Sequence, residues 1–118
     1  MQLSTITEII EAKSHTPEMD CDIEIRSACG SDLMSDVLAF VKDQSLLLTG
    51  LINPQVIRTA EMMDIKAIIF VRGKVPDEST IALAREKEIR LFTTQFPLYI
   101  ACGRLYKAGL GGKGEHFE

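Results

Sequence analysis

The sequence predicts a single compact α/β domain in which strands and helices alternate around a parallel or mostly parallel sheet. Three observations predict it. The run AIIFV at 67–71 has no polar residue, the mark of a strand covered by helices on both faces. Other short apolar or alternating runs are each followed by an amphipathic stretch of helix length, the pattern of βαβ units. The joints are short and carry helix-start chemistry, as at Asn53-Pro54 and Asp77.

The elements follow in order. Residues 5–13 read as a short helix, with Thr5 and Glu8 spaced as a capping box and Ile6, Ile9 and Ile10 on one side. DIEIRSA (22–28) alternates Ile23 and Ile25 against Glu24 and Arg26 and reads as a strand with one wet face. Gly30-Ser31 opens an amphipathic helix. Leu33, Met34, Val37, Leu38 and Val41 form its apolar stripe, Ser31 is its cap, and Asp32 lies in its first turn. LLLTG (46–50) is a strand leading to a helix over about 54–64, with Val56, Ile57, Ala60 and Met63 inward. After AIIFV comes a helix capped by Asp77, then the strand RLFTT (90–94) and a last helix over 96–108. Residues 1–108 form the domain, and 109–118, with four glycines in six residues, form a flexible tail. The Gly-Lys in that tail does not match a Walker A loop, because Gly114 follows where Ser or Thr is required.

Composition excludes several classes. With 118 residues the chain has the size of one ordinary domain, and a net charge of -4 gives nucleic acid no basic surface to bind. No apolar stretch approaches the ~20 residues of a membrane span, and the N-terminus lacks the features of a signal peptide. A cytoplasmic protein is therefore expected. The three cysteines, Cys21, Cys29 and Cys102, have no CxxC spacing and imply neither a disulfide framework nor a zinc site.

The catalytic inventory is thin. His15 and His116 have no poised neighbours, and there is no GxSxG or HExxH. Asp32 and Asp36, spaced i, i+4, are the one pair that would support a small metal-dependent enzyme. The reading is otherwise non-catalytic, with no cofactor and no metal.

Binding has better candidates. The turn LTGLINP follows a strand and starts a helix, a position where an anion is welcome. Thr49, Gly50, Asn53 and Arg58 are its candidate contacts. Arg72, Gly73 and Lys74 follow the next strand, and Thr93 and Thr94 the one after. If the strands are parallel, all three turns share one edge, where α/β domains bind ligands. Leu51 and Ile52 make the first turn unusually apolar and suit a protein partner. The last helix is apolar or small almost all round between Leu98 and Gly103, which suggests burial on two sides. Tyr99, Cys102, Gly103 and Tyr106 are therefore candidate interface residues, in a homodimer or against a partner protein.

Residues 21–108 resemble a stand-alone DRTGG-domain protein, most clearly in SDLMSDVL, in the turn RGKVPDE with the strand IRLFTT, and in the closing ACGRLY. DRTGG domains are similar to the N-terminal domain of HPr kinase/phosphorylase and accompany CBS domains in some inorganic pyrophosphatases. The resemblance implies a compact, commonly dimeric α/β domain with a regulatory rather than catalytic role. Small stand-alone members occur in anaerobic bacteria beside genes for iron-only hydrogenase and signalling histidine kinases, so a signalling partner is implied. The chain departs from the pattern after the Thr-Gly turn. Leu51-Ile52-Asn53 stands where the family expects Asp-Arg.

Overall fold

A computed structural model describes residues 1–40 and 45–111. Its elements are α1 (Leu3–Ile9), β1 (Lys13–Ser14), β2 (Ser27–Gly30), α2 (Met34–Phe40), β3 (Ser45–Thr49), α3 (Pro54–Met62), β4 (Ala67–Phe70), α4 (Glu78–Glu86), β5 (Arg90–Thr93) and α5 (Leu98–Lys107). They form one mixed sheet in the order β1-β5-β4-β3-β2. The four strands β2 to β5 are parallel, and β1 pairs antiparallel with β5.

Each strand from β2 to β5 is laid down beside its predecessor, always moving the same way across the sheet. With right-handed crossovers, such a series puts every connecting helix on one face. Accordingly α2, α3 and α4 pack side by side over Leu47, Ile68, Phe70 and Leu91. Helices α1 and α5 cover the other face over Leu46, Leu48, Ile69 and Phe92. All four residues of β4 are buried, and they alternate between the two cores: Ala67 and Ile69 to one, Ile68 and Phe70 to the other. The polar-free run at 67–71 is thus the central strand.

Local chemistry sets the helix starts. Asn53 Oδ1 accepts from the Gln55 N–H at 3.1 Å, with Pro54 as the first helical residue. Asp77 Oδ1 accepts from the Thr80 N–H at 2.9 Å, and this bonding lowers the Asp77 pKa. Helices α1, α3 and α4 are followed by Glu11, Asp64 and Glu88, all in the left-handed region that usually calls for glycine.

Several expectations are corrected. The first helix spans Leu3–Ile9, not 5–13, and Thr5 does not cap it; the Gln2 carbonyl takes the first N–H groups instead. Ile23 and Ile25 are not in the sheet. Their backbone pairs with the N-terminus, through Leu3 N–H to Ile23 O and Ile25 N–H to Met1 O, and the strand begins only at Ser27. The Met1 ammonium bonds the Ile25 carbonyl and pairs with Glu24, which closes the same ribbon. Asp32 precedes α2 rather than lying in its first turn, and Leu33 and Leu38 are exposed. Val41 lies outside the described residues. Of the expected tail, Leu110 and Gly111 are buried, and the Gly111 carbonyl accepts from the Ala28 N–H on β2; residues 112–118 lie outside the described residues. Helix α5 buries Ala101 and Leu105 on one side but leaves its other side open, so two-sided burial does not occur among the described residues. Among the described residues, no helix is long and apolar enough to cross a membrane.

Candidate functional site at the strand-end edge

Because β3, β4 and β5 are adjacent and parallel, their carboxyl ends put Thr49-Gly50, Arg72-Gly73-Lys74 and Thr93-Thr94 along one edge of the sheet. The chain leaves β4 toward the α2–α4 face and leaves β5 toward the α1–α5 face. Adjacent strands that depart to opposite faces form a topological switch point, the place where open α/β sheets bind ligands. Here it lies between residues 71–74 and 93–96.

The turn after β4 is tight. Arg72 (φ 57) and Gly73 (φ 68) are both left-handed, and the Lys74 N–H closes on the Val71 carbonyl at 3.2 Å, the geometry of a type I′ turn. A non-glycine residue held at positive φ marks a position the surrounding structure has forced. The Arg72 N–H bonds Phe96 O at 3.0 Å and the Gly73 N–H bonds Thr94 O at 2.9 Å, so the loops on either side of the switch point hold each other. The end of the Gln95 side chain lies over Gly73, 2.7 Å from where a Cβ would sit.

Asp32 reaches across from the segment after β2 to the turn after β3. Its Oδ1 accepts from the Gly50 N–H at 2.6 Å and from the Thr49 hydroxyl at 3.0 Å. Thr49 Oγ1 in turn accepts from the Leu51 N–H at 3.1 Å. The turn expected to welcome an anion therefore already holds a carboxylate belonging to the protein. Lys74 Nζ donates to the Gly50 carbonyl at 3.0 Å, and an Arg72 guanidinium nitrogen comes within 3.3 Å of the position a Gly50 Cβ would take.

The remaining candidates divide. Thr93 donates its hydroxyl to Lys74 O at 2.7 Å and lies 2.6 Å from His15 Nε2. With its one proton so used, the Thr93 oxygen can only accept from His15, which places a proton on Nε2. His15 is half-buried, and burial lowers its pKa below the usual histidine value. With Glu11, Lys13, Val75 and Gln95, these two residues line a small cavity of about 170 Å³. Thr94 points the other way, donating to Ile10 O at 2.6 Å and tying α1 to β5. Asn53 is committed to its cap. Arg58 is exposed on α3, and no hydrogen bond or ion pair among the described residues joins it to the edge. Leu51 and Ile52 are half-buried against the protein's own α2–α4 core.

The acidic pair does not form as a site. Asp32 is at the strand-end turn while Asp36 is exposed on α2. Among the described residues, no group of three or more His, Cys, Asp or Glu is placed to hold a metal ion. Burial raises the pKa of all three thiols, the opposite of an activated cysteine. Cys29 packs on the α2–α4 side and Cys102 on the α1–α5 side, so β2 separates them.

The open side of α5 carries Tyr99 (85% exposed), Ile100 and Tyr106 around Gly103, whose missing side chain leaves open space. Together with Arg104 and Lys107 they border a shallow, mostly apolar groove of about 540 Å³. Arg104 stacks on Phe96 at 4.2 Å.

Sequence reasoning missed the part played by Asp32, His15 and Gln95 at this edge. Asp32 stood in an apparent helix pattern, and β1, which carries His15 to Thr93, is too short to leave a periodic signal.

Sheet order, switch point and turn geometry define an α/β domain whose β3, β4 and β5 turns share the carboxyl edge of the sheet. No family model and no curated protein matches the sequence. The fold is similar to a crystal structure of the CBS and DRTGG domains in the regulatory region of Clostridium perfringens pyrophosphatase, solved with the activator diadenosine tetraphosphate. The match has a TM-score of 0.68 at 12% identity and covers 96% of this chain and 51% of that one. The chain thus spans about half of the solved regulatory region, and the likeness is one of fold.

Proposed function

We propose that the protein is a non-catalytic, ligand-sensing regulatory domain of the DRTGG type, working in the cytoplasm and binding a nucleotide or similar anionic metabolite at the strand-end edge. The observation that carries this reading is Arg72. Its backbone is held at positive φ, and its side chain is exposed and makes no hydrogen bond or ion pair among the described residues. It stands beside Gly50 at the carboxyl ends of the parallel strands, the end at which open α/β sheets generally bind ligands. The structural neighbour, a regulatory region complexed with a dinucleotide, supports the same class of ligand. A thermal-shift series with ADP, ATP and diadenosine tetraphosphate tests it. The melting temperature rises with at least one of them in the wild type and not in Arg72→Ala; no rise with any of them refutes the reading.

The open face of α5 supports a second element of the reading, assembly through Tyr99, Cys102, Gly103 and Tyr106. An exposed apolar patch beside a residue without a side chain suits close packing of another helix. A homodimer gives twice the chain mass of 13.1 kDa by light scattering at micromolar concentration. A mass of one chain favours the alternative, in which this face docks a signalling protein.

A further inference from the structure

The strand-end edge is selective about which part of a nucleotide it can meet, and this conclusion rests on the ligand-binding reading above. A phosphate normally settles on free backbone N–H groups. Here the Gly50 and Leu51 N–H groups are bonded to Asp32 and Thr49. Those of Arg72, Gly73 and Lys74 are bonded to the carbonyls of Phe96, Thr94 and Val71. What the edge presents instead is side chains. Asp32 Oδ1 is used by Gly50 and Thr49, whereas Oδ2 makes no hydrogen bond among the described residues and lies 3.4 Å from the Gly50 Cβ position. A carboxylate oxygen so placed accepts and never donates. The Arg72 guanidinium, a donor and a cation, comes to 3.3 Å from the same point. Glycine at position 50 keeps the space between them open.

We infer that Asp32 receives the sugar hydroxyls of a ribonucleotide while Arg72 takes its phosphate. Around Gly50 two cations, Arg72 and Lys74, stand with Asp32 among the described residues, so an anionic ligand complements this point. A neutral diol on Asp32 and a phosphate on Arg72 satisfy this; an amino acid zwitterion does not. Asp32→Asn is the discriminating variant, because it keeps an oxygen for Gly50 and Thr49 but turns the unbonded acceptor into a donor and removes the charge.

Calorimetric titration with ADP, 2′,3′-dideoxy-ADP and inorganic pyrophosphate tests the assignment on the wild-type chain, Asp32→Asn and Arg72→Ala. The wild type binds ADP, and loss of the two hydroxyls weakens binding roughly 10- to 100-fold, as expected for hydrogen bonds to a charged group. Asp32→Asn weakens ADP to a similar degree, and Arg72→Ala weakens every phosphate ligand that binds. Equal binding of ADP and its dideoxy analogue by the wild type overturns the inference, whatever the variants do. So does tighter ADP binding by Asp32→Asn, because the carboxylate then merely repels phosphate. Failure of all three ligands to bind the wild type refutes the ligand-binding reading itself.

Discussion

Replacing Gly73 by alanine destabilises the domain by about 1 kcal/mol or somewhat more, and the number can be worked from two sources. Gly73 has φ 68, where an L side chain costs roughly 1–2 kcal/mol. Restricting the unfolded chain offsets roughly 0.4–1 kcal/mol of that, leaving about 1 kcal/mol from the backbone. The new Cβ also falls 2.7 Å from Gln95 Oε1 and 3.0 Å from Nε2. That contact is with the far end of a flexible side chain, so Gln95 moves aside and the added cost is a fraction of the backbone cost. Urea unfolding followed by circular dichroism reads the difference at constant slope. Repeating it in a Gln95→Ala background separates the sources: the crowding disappears and the backbone cost stays. A neutral or stabilising Gly73→Ala refutes the left-handed turn. An unchanged cost in the Gln95→Ala background refutes the crowding.

Other predictions rest on separate features. Glu88 sits left-handed at the carboxyl end of α4, where both its conformation and its charge are unfavourable, so Glu88→Gly stabilises by about 0.5–1 kcal/mol; a loss of stability in urea contradicts this. The lowered pKa of His15 means the unfolded chain binds a proton more readily than the folded one. Stability therefore falls as pH drops from the unfolded value of about 6.5 to the folded value and is level below it, as far as this residue is concerned. His15→Gln flattens that part of the profile, and an unchanged profile shows that the proton goes elsewhere. Phe70, fully buried on the central strand, costs about 3–5 kcal/mol when replaced by alanine; a loss below 1 kcal/mol in the same assay places it outside the core.

The sheet was legible where one kind of evidence dominates. The polar-free run of β4, the Asn53-Pro54 start of α3 and the Asp77 cap are local signals that tertiary structure did not override. The failures share a cause. Ile23 and Ile25 alternate like a sheet strand, but they are recruited by the N-terminus, a partner more than twenty residues away that no local pattern reveals. Asp32 reads as a helical residue until the fold brings Gly50 to it. The candidate turns do share one edge, as parallel strands would require, and the opposite departures from β4 and β5 put a switch point within it. The same structure showed that the phosphate-like position is filled from within. The apolar stretch of α5 predicted burial on two sides, but among the described residues only the side of Ala101 and Leu105 is covered, and Tyr99, Ile100 and Tyr106 stay exposed.

A nitrogen–proton correlation spectrum recorded during titration with ADP reads directly whether the strand-end edge binds a nucleotide. Binding at this edge gives concentration-dependent shifts at Gly50, Leu51 and the Arg72-Gly73-Lys74 turn. A spectrum unchanged at millimolar ADP, or shifts confined to the outer face of α5, contradicts it.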